Sequence, residues 1–262
     1  MGVLNVTPDS FSDGGDFLDP EAAVSHGELL AAEGADLVDV GGESTRPGAD
    51  PVPESAELER VMPVIEALAA RHVPISIDTS KSGVARAALE AGAAFVNDVT
   101  ALRGDPELAA VVAEAGAEVC LVHMKGEPRT MQDDPRYDDV VGEVRSFLEE
   151  RLAFALGAGV REDRVWLDPG IGFGKTLEHN LELIRRLDEI VAIGRPVVFG
   201  ASRKRFLGRL TGRPERERAA GTVAANVLAY ERGAAMFRVH DVAETLDALR
   251  VAGATLNPEQ RN

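Results

Sequence analysis

Residues 75–98 read Ile-Ser-Ile-Asp-Thr-Ser-Lys-Ser-Gly-Val-Ala-Arg-Ala-Ala-Leu-Glu-Ala-Gly-Ala-Ala-Phe-Val-Asn-Asp. Two short apolar runs, Ile75–Asp78 and Phe95–Asp98, flank an Ala/Leu/Glu/Arg stretch of helical period, Gly83–Glu90. This is one strand–helix–strand unit, and each strand ends on a polar residue. The turn back into the second strand, Glu90–Ala93, recurs letter for letter as Glu114–Ala117, with variants at Glu33-Gly34-Ala35 and Glu231–Ala234. A repeated helix-to-strand turn predicts a chain built from one repeated β/α unit.

Outward from this unit the alternation continues. Strands are predicted at Val3–Val6, Leu37–Val40, Ile75–Asp78, Phe95–Asp98, Val119–His123, Val165–Asp168, Val197–Gly200 and Met236–His240. Helices are predicted near Ala22–Ala32, Ala56–Ala69, Gly83–Glu90, Pro106–Ala115, Val140–Leu156, Leu181–Ile190, Arg216–Glu231 and Ala243–Val251. Asp19-Pro20-Glu21 and Asp105-Pro106-Glu107 each place a capping residue before a proline suited to a first helical position. Eight such units predict an α/β protein of the (β/α)8 TIM-barrel class, with a doubly wound open sheet as the alternative. The 262 residues suit one barrel. No linker or low-complexity tract divides them, so 1–262 reads as a single domain. The first strand begins almost at Met1. Either the start lies upstream or side chains alone close the N-terminal mouth of the barrel.

Composition narrows the function. The net charge of −16 argues against nucleic acid or an anionic membrane as partner. A small anionic substrate would need cations gathered locally, and the chain has only Lys81, Lys125, Lys175 and Lys204 besides its arginines. No apolar run spans a bilayer and no secretory leader is read. The lone Cys120 sits in an apolar run, reads as a small buried side chain, and fits a reducing cytoplasm.

In a barrel the chemistry lies at the C-terminal ends of the strands. Here those ends carry Asn5, Gly41–Gly48, Asp78-Thr79, Asn97-Asp98, His123-Met124, Asp168-Pro169-Gly170, Gly200–Lys204 and Arg238–Asp241. Any one of these polar residues can be a helix cap. Eight together predict a ring of functional groups around one mouth. Asp78, Asn97 and Asp168 suit the N–H edge of a planar heterocycle. Lys204, Arg238, His240 and Arg46 suit an oxyanion or diphosphate, and Asn5 is an oxygen ligand of the kind magnesium accepts. Pro169–Thr176 is similar to a nucleotide P-loop but has proline where the first glycine is required, so a turn-rich βα loop is the better reading. His123 has no second His or Cys at zinc spacing. The long stretch Thr7–Gly15, with Phe11 at its centre, reads either as an ordinary connection or as a lid over substrate.

From Gly2 to about Leu249 the chain resembles the dihydropteroate synthases, a family of pterin-binding enzymes. The resemblance is carried by Gly2–Gly15, Asp39–Gly48, Ile77-Asp78-Thr79, Asn97-Asp98, Asp168–Lys175, Ser202-Arg203-Lys204 and Arg238–Asp241, in that order. It implies condensation of 7,8-dihydropterin-6-ylmethyl diphosphate with 4-aminobenzoate, with release of diphosphate and help from magnesium. It further implies that Asp78, Asn97, Asp168 and Lys204 hold the pterin, with Met124 beside the same site, and that Arg238 stacks on the ring. Thr45, Arg238 and His240 would grip diphosphate and Asn5 would ligate magnesium. Phe11, Thr45, Arg46, Pro47, Phe173, Ser202 and Lys204 would form the aminobenzoate side. Asp78, Lys204 and Arg238 are the expected catalytic groups. A homodimer, a cytoplasmic location and a place among sulfonamide targets also follow from the resemblance. A pterin-dependent methyltransferase and a non-catalytic pterin-binding paralogue are the rival readings. The first does not need Ser202-Arg203-Lys204 or Arg238-Val239-His240, and the second predicts at least one broken motif where none is broken. Two departures stand out: the absence of residues ahead of the first strand, and Arg205 where small side chains are common.

Overall fold

The computed structural model describes residues 1–7, 20–45 and 48–256. Its strands are β1 (Gly2–Asn5), β2 (Val38–Gly41), β3 (Ile75–Asp78), β4 (Phe95–Asp98), β5 (Glu118–Val122), β6 (Val165–Asp168), β7 (Val198–Phe199) and β8 (Met236–Phe237). Its helices are α1 (Pro20–Ala32), α2 (Glu54–Ala70), α3 (Ser82–Glu90), α4 (Leu108–Ala115), α5 (Val140–Gly157), α6 (Leu177–Arg185), α7 (Leu187–Val191), α8 (Arg205–Thr211), α9 (Ala219–Glu231) and α10 (Val242–Leu256).

Strands β1 to β6 form a parallel sheet in chain order, and β7 pairs in parallel with β8. Single bridges join the two pieces at both seams: Leu167 with Val197, and Gly2 with Val239. At the second seam Val3 N donates to Val239 O at 2.9 Å and Val239 N to Met1 O at 3.0 Å. The eight strands therefore make a closed ring of parallel neighbours, the TIM-barrel arrangement.

Alternation along the strands separates two cores. Leu4, Val38, Val40, Ile75, Ile77, Val96, Val119, Leu121 and Leu167 pack outward with apolar helix residues such as Val61, Ile65 and Leu68. Met1, Leu37, Phe95, Cys120, Val122 and Val198 form a separate cluster, with Trp166, Phe173 and Met236 against it. The rings of Phe95 and Trp166 lie 6.0 Å apart, and Trp166 Nε1 donates to Glu118 Oε2 at 2.6 Å. Large side chains thus fill the barrel below the polar strand ends. Cys120 is among them, fully buried, as its sequence context predicts.

Several boundaries differ from expectation for identifiable reasons. β7 and β8 are two residues each, because Val197 and Val239 meet their outer neighbours through isolated bridges. The helix predicted over Leu181–Ile190 starts earlier and breaks. Thr176 and His179 form a reciprocal cap that starts α6 at Leu177, and Arg186 leaves helical geometry between α6 and α7. Helix α8, which buries Phe206 and Leu207, was not foreseen. Asp105 accepts from Glu107 N through Oδ1 at 2.9 Å in the turn leading into α4, as anticipated, and it serves a second helix as well. Its Oδ2 accepts from Ser82 N at 2.9 Å, so it caps α3 from the neighbouring unit, while α4 begins at Leu108. The repeated Glu-Ala-Gly-Ala turns do put Gly92 and Gly116 at positive φ, as helix-terminating glycines require.

Candidate active site

The polar strand ends converge on one cleft of about 660 Å3 at the C-terminal mouth of the barrel. Of the residues anticipated there, Asn5, Thr45, Asp78, Phe173, Ser202, Lys204, Arg238 and His240 line it. Asn97 and Asp168 are buried at the ends of β4 and β6. Two glycines keep the floor open. A Cβ at Gly41 would stand 3.6 Å from Asp78 Oδ2 and 3.8 Å from Asn5 Oδ1. One at Gly200 would stand 3.6 Å from Asp168 Oδ2 and 3.8 Å from Lys204 Nζ. These four functional groups therefore face space that larger residues would occupy.

The floor is an ion-pair network. Arg238 donates from Nε to Asp39 Oδ2 at 2.6 Å and from Nη2 to Asp78 Oδ2 at 2.7 Å. Asn97 Nδ2 donates to the same Asp39 oxygen at 3.2 Å. Asp39 is fully buried in the middle of β2, and its other oxygen has no hydrogen-bond partner among the described residues. Burial pushes the Asp78 carboxyl above its usual range; Arg238 opposes the rise and Asp39 adds to it. Burial alone would lower the Arg238 pKa, but the charges of Asp39 and Asp78 outweigh it and raise it. The guanidinium therefore stays charged, and the pair is held by its geometry.

Lys204, just before α8, is the second cation. Its Nζ donates to Ile171 O and lies 4.5 Å from the centre of the Phe173 ring. Burial lowers its pKa to about 8, with Asp168 opposing the shift and Arg238 adding to it. Burial likewise raises Asp168, while Lys204 and the Gly170 N–H, which donates to its Oδ1 at 2.6 Å, pull it back. Ser202 Oγ accepts from His240 N at 3.1 Å and lies 2.9 Å from His240 Nδ1, so it orients the imidazole. Arg203 is spent on Asp241.

Met124 is placed differently. It is buried, is not among the cleft-lining residues, and its carbonyl accepts from Arg103 at 3.1 Å. Phe11, Arg46 and Pro47, and the lid reading of Thr7–Gly15 beyond Thr7, lie outside the described residues. The sequence reading missed Asp39 as a partner of the site, although strict alternation places it inward between Leu37 and Gly41. It also missed His26, Met131, Arg216 and Arg218, which line the cleft from helices and loops with no strand-end signal. Among the described residues no three His, Cys, Asp or Glu side chains group as a metal cage.

A closed barrel whose mouth combines buried carboxylates, an amide and two half-buried cations defines a barrel enzyme for a polar heterocycle bearing negative charge. Residues 1–240 match the sequence profile of the pterin-binding enzymes, and the chain belongs to that family. Its relatives there are dihydropteroate synthases. The Escherichia coli K12 enzyme of that name is 48% identical over 261 residues, covering 99% of this chain and 92% of the relative. The Xanthomonas albilineans dihydropteroate synthase solved with 4-aminobenzoic acid superposes with a TM-score of 0.92 at 53% identity, covering 98% of this chain and 92% of that one. The same enzyme in complex with 7,8-dihydropteroate gives a TM-score of 0.88 at 49% identity, with the same coverage.

Proposed function

We propose that this chain acts as a dihydropteroate synthase, joining 7,8-dihydropterin-6-ylmethyl diphosphate to 4-aminobenzoate with release of diphosphate. The observation that carries the reading is the stacking of two chemistries in one cleft. Asp78 lines the cleft together with Lys204, Arg238 and His240, and Asn97 and Asp168 are buried at the ends of β4 and β6. Asp78, Asn97 and Asp168 read the pterin edge, where a carboxylate accepts paired N–H bonds. Lys204 donates to the ring from its edge towards Phe173. Thr45, His240 and Arg238 take the diphosphate, with Ser202 fixing the imidazole.

The amine of 4-aminobenzoate is a weak neutral nucleophile, so stabilising the leaving group matters more than a base. Cations around diphosphate lower the cost of its departure. The buried carboxylate of Asp78 favours positive charge developing on the dihydropterin. The reading is therefore a dissociative, SN1-like substitution without a covalent enzyme intermediate. Magnesium fits the donors present. Asn5 Oδ1 and Asp78 face the space kept open by Gly41, and a magnesium ion commonly takes one or two protein oxygens and completes its shell with phosphate and water. Asn5 would hold it, and when bound it neutralises charge on the leaving diphosphate.

The single buried cysteine supports a cytoplasmic setting, and no helix among the described residues is long and apolar enough to cross a membrane. Exposed Leu228 on α9 with Val251 and Leu256 on α10 support a homodimer joined through these helices. The aminobenzoate side is also where a sulfonamide would compete. The test is diphosphate release with pterin diphosphate, 4-aminobenzoate and magnesium. Release that depends on both substrates is the expected result. Pterin binding without turnover, or methyl transfer from a methylated folate, would overturn it.

A further inference from the structure

The loop from Gly170 to Lys175, between β6 and α6, has five successive carbonyls that each accept a hydrogen bond. Gly170 O accepts from Phe173 N and from Lys175 Nζ, at 3.0 and 2.9 Å. Ile171 O accepts from Lys204, Gly172 O from Gln132, and Gly174 O from the Tyr137 hydroxyl at 2.9 Å. Phe173 O accepts from Lys175 Nζ at 3.0 Å. Lys175 is thus the one side chain that grips the loop twice, on both sides of the segment carrying Phe173. Its third partner is His123 Nδ1 at 2.9 Å, at the end of β5.

The fit around this contact is close. A Cβ at Gly170 would strike His123 O, and one at Gly174 would strike Lys125 O, so the loop lies directly on the β5–α5 segment. His123 is itself fixed, edge-on to Phe147 with ring centres 4.8 Å apart. Lys175 is buried, and all three of its hydrogen-bond partners are neutral. An ammonium has three donors, and here each meets an acceptor in the protein. Burial drags its pKa well down and Asp168 opposes the drop. A buried amine held without a carboxylate in direct contact is costly. The geometry spends that cost on one loop, the loop whose Phe173 ring faces Lys204.

We propose that Lys175 is a positioning residue for the aryl-amine side of the cleft: by holding the carbonyls of Gly170 and Phe173 against His123, it sets the Phe173 ring over Lys204. This rests on the synthase reading given above. Lys175 touches no substrate and acts through Phe173. Its removal shifts the wall that receives the aminobenzoate and leaves Asp78 and Asn97 in place, because Asp78 and Asp39 are tied to Arg238 and Asn97 to Asp39; of the pterin-reading groups only Asp168, which accepts from Gly170 N at 2.6 Å, touches this loop.

The test is steady-state kinetics of Lys175→Met and Lys175→Gln with both substrates varied, alongside calorimetric binding of the pterin diphosphate alone. Wild type is run first. If it does not condense the two substrates, the synthase reading fails before this proposal is reached. Given a competent wild type, Lys175→Met is expected to raise KM for 4-aminobenzoate about tenfold or more, with pterin diphosphate affinity within about threefold of wild type. Lys175→Gln, which keeps two donors for the two carbonyls, is expected to recover part of the loss. Unchanged KM for the amine, or equal weakening of both substrates, overturns the proposal. If Lys175→Met does not fold, the same split is read from Lys175→Gln. Failure of both to fold also counts against it, since Lys175 would then serve the fold and not the pocket.

Discussion

Arg238 donates from Nη2 to Asp78 Oδ2 at 2.7 Å, across the barrel mouth from β8 to β3. The same guanidinium also holds Asp39 on β2, so one cation answers two buried carboxylates. Removing it strands both. Arg238→Met is expected to cost about 3 kcal/mol of stability, the usual penalty for breaking a buried ion pair from one side. Adding Asp39→Asn to Arg238→Met should recover part of that loss, because one stranded charge is gone. Urea unfolding of the single and double variants checks this; additive losses would show that Arg238 and Asp39 do not act as a pair.

Lys204 carries a pH dependence. Its pKa, lowered to about 8 by burial, puts loss of its proton within reach of mild alkali. On the proposed assignment the cation serves the pterin, so KM for the pterin diphosphate is expected to rise as pH passes about 8, while Lys204→Ala shows no such inflection. The stability effect has the opposite sense. Between about 8 and its ordinary 10.5 the unfolded chain keeps a proton that the native site has released, so this group makes stability rise with pH across that window. Below about 8 both states hold the proton and the full burial cost is present. Lys204→Ala should also lose at least about 2 kcal/mol of transition-state stabilisation, the scale of a charge-assisted contact. A pH–KM profile on both proteins checks these points together.

The barrel was legible because each β/α unit repeats the same grammar. Ile75–Asp78, Phe95–Asp98 and Val165–Asp168 were delimited to the residue, since each apolar run stops sharply on polar side chains. β7 and β8 were overdrawn because hydrophobic pattern reports burial, while a ladder requires continuous backbone pairing, which Val197 and Val239 lack. Asp39 escaped because it sits inside an apolar run, where a charge makes sense only once Arg238, almost two hundred residues later, is known to face it. The seven residues of α8 are too few to show a period.

Arg205 is the first residue of α8, lies beside Lys204 and lines the exposed edge of the cleft. On the proposed assignment of the aminobenzoate side, a guanidinium there stands near the substrate carboxylate. Exposed charge pairs contribute up to about 1 kcal/mol, so Arg205→Ser is expected to raise KM for 4-aminobenzoate about two- to fivefold. 4-Aminobenzamide, which lacks the carboxylate charge, should bind wild type and variant alike. The comparison is made at low and high salt, where the difference for the charged amine should shrink. An equal effect on both amines would assign Arg205 a role other than charge recognition.

Asn5 separates a metal contact from a structural one. Its side chain is half-buried at the end of β1 and shares the space above Gly41 with Asp78, while its backbone is fixed by pairing with β2. Asn5→Ala leaves that pairing intact and removes one oxygen. A ligand lost from a shell otherwise completed by phosphate and water weakens the ion without abolishing its binding. The magnesium concentration for half-maximal diphosphate release should therefore rise about tenfold, with the melting temperature nearly unchanged and with activity returning at high magnesium. Chelation of wild type should produce the same loss, reversible on adding the ion back. If Asn5→Ala instead lowers activity equally at every magnesium concentration, Asn5 contacts substrate and not the metal.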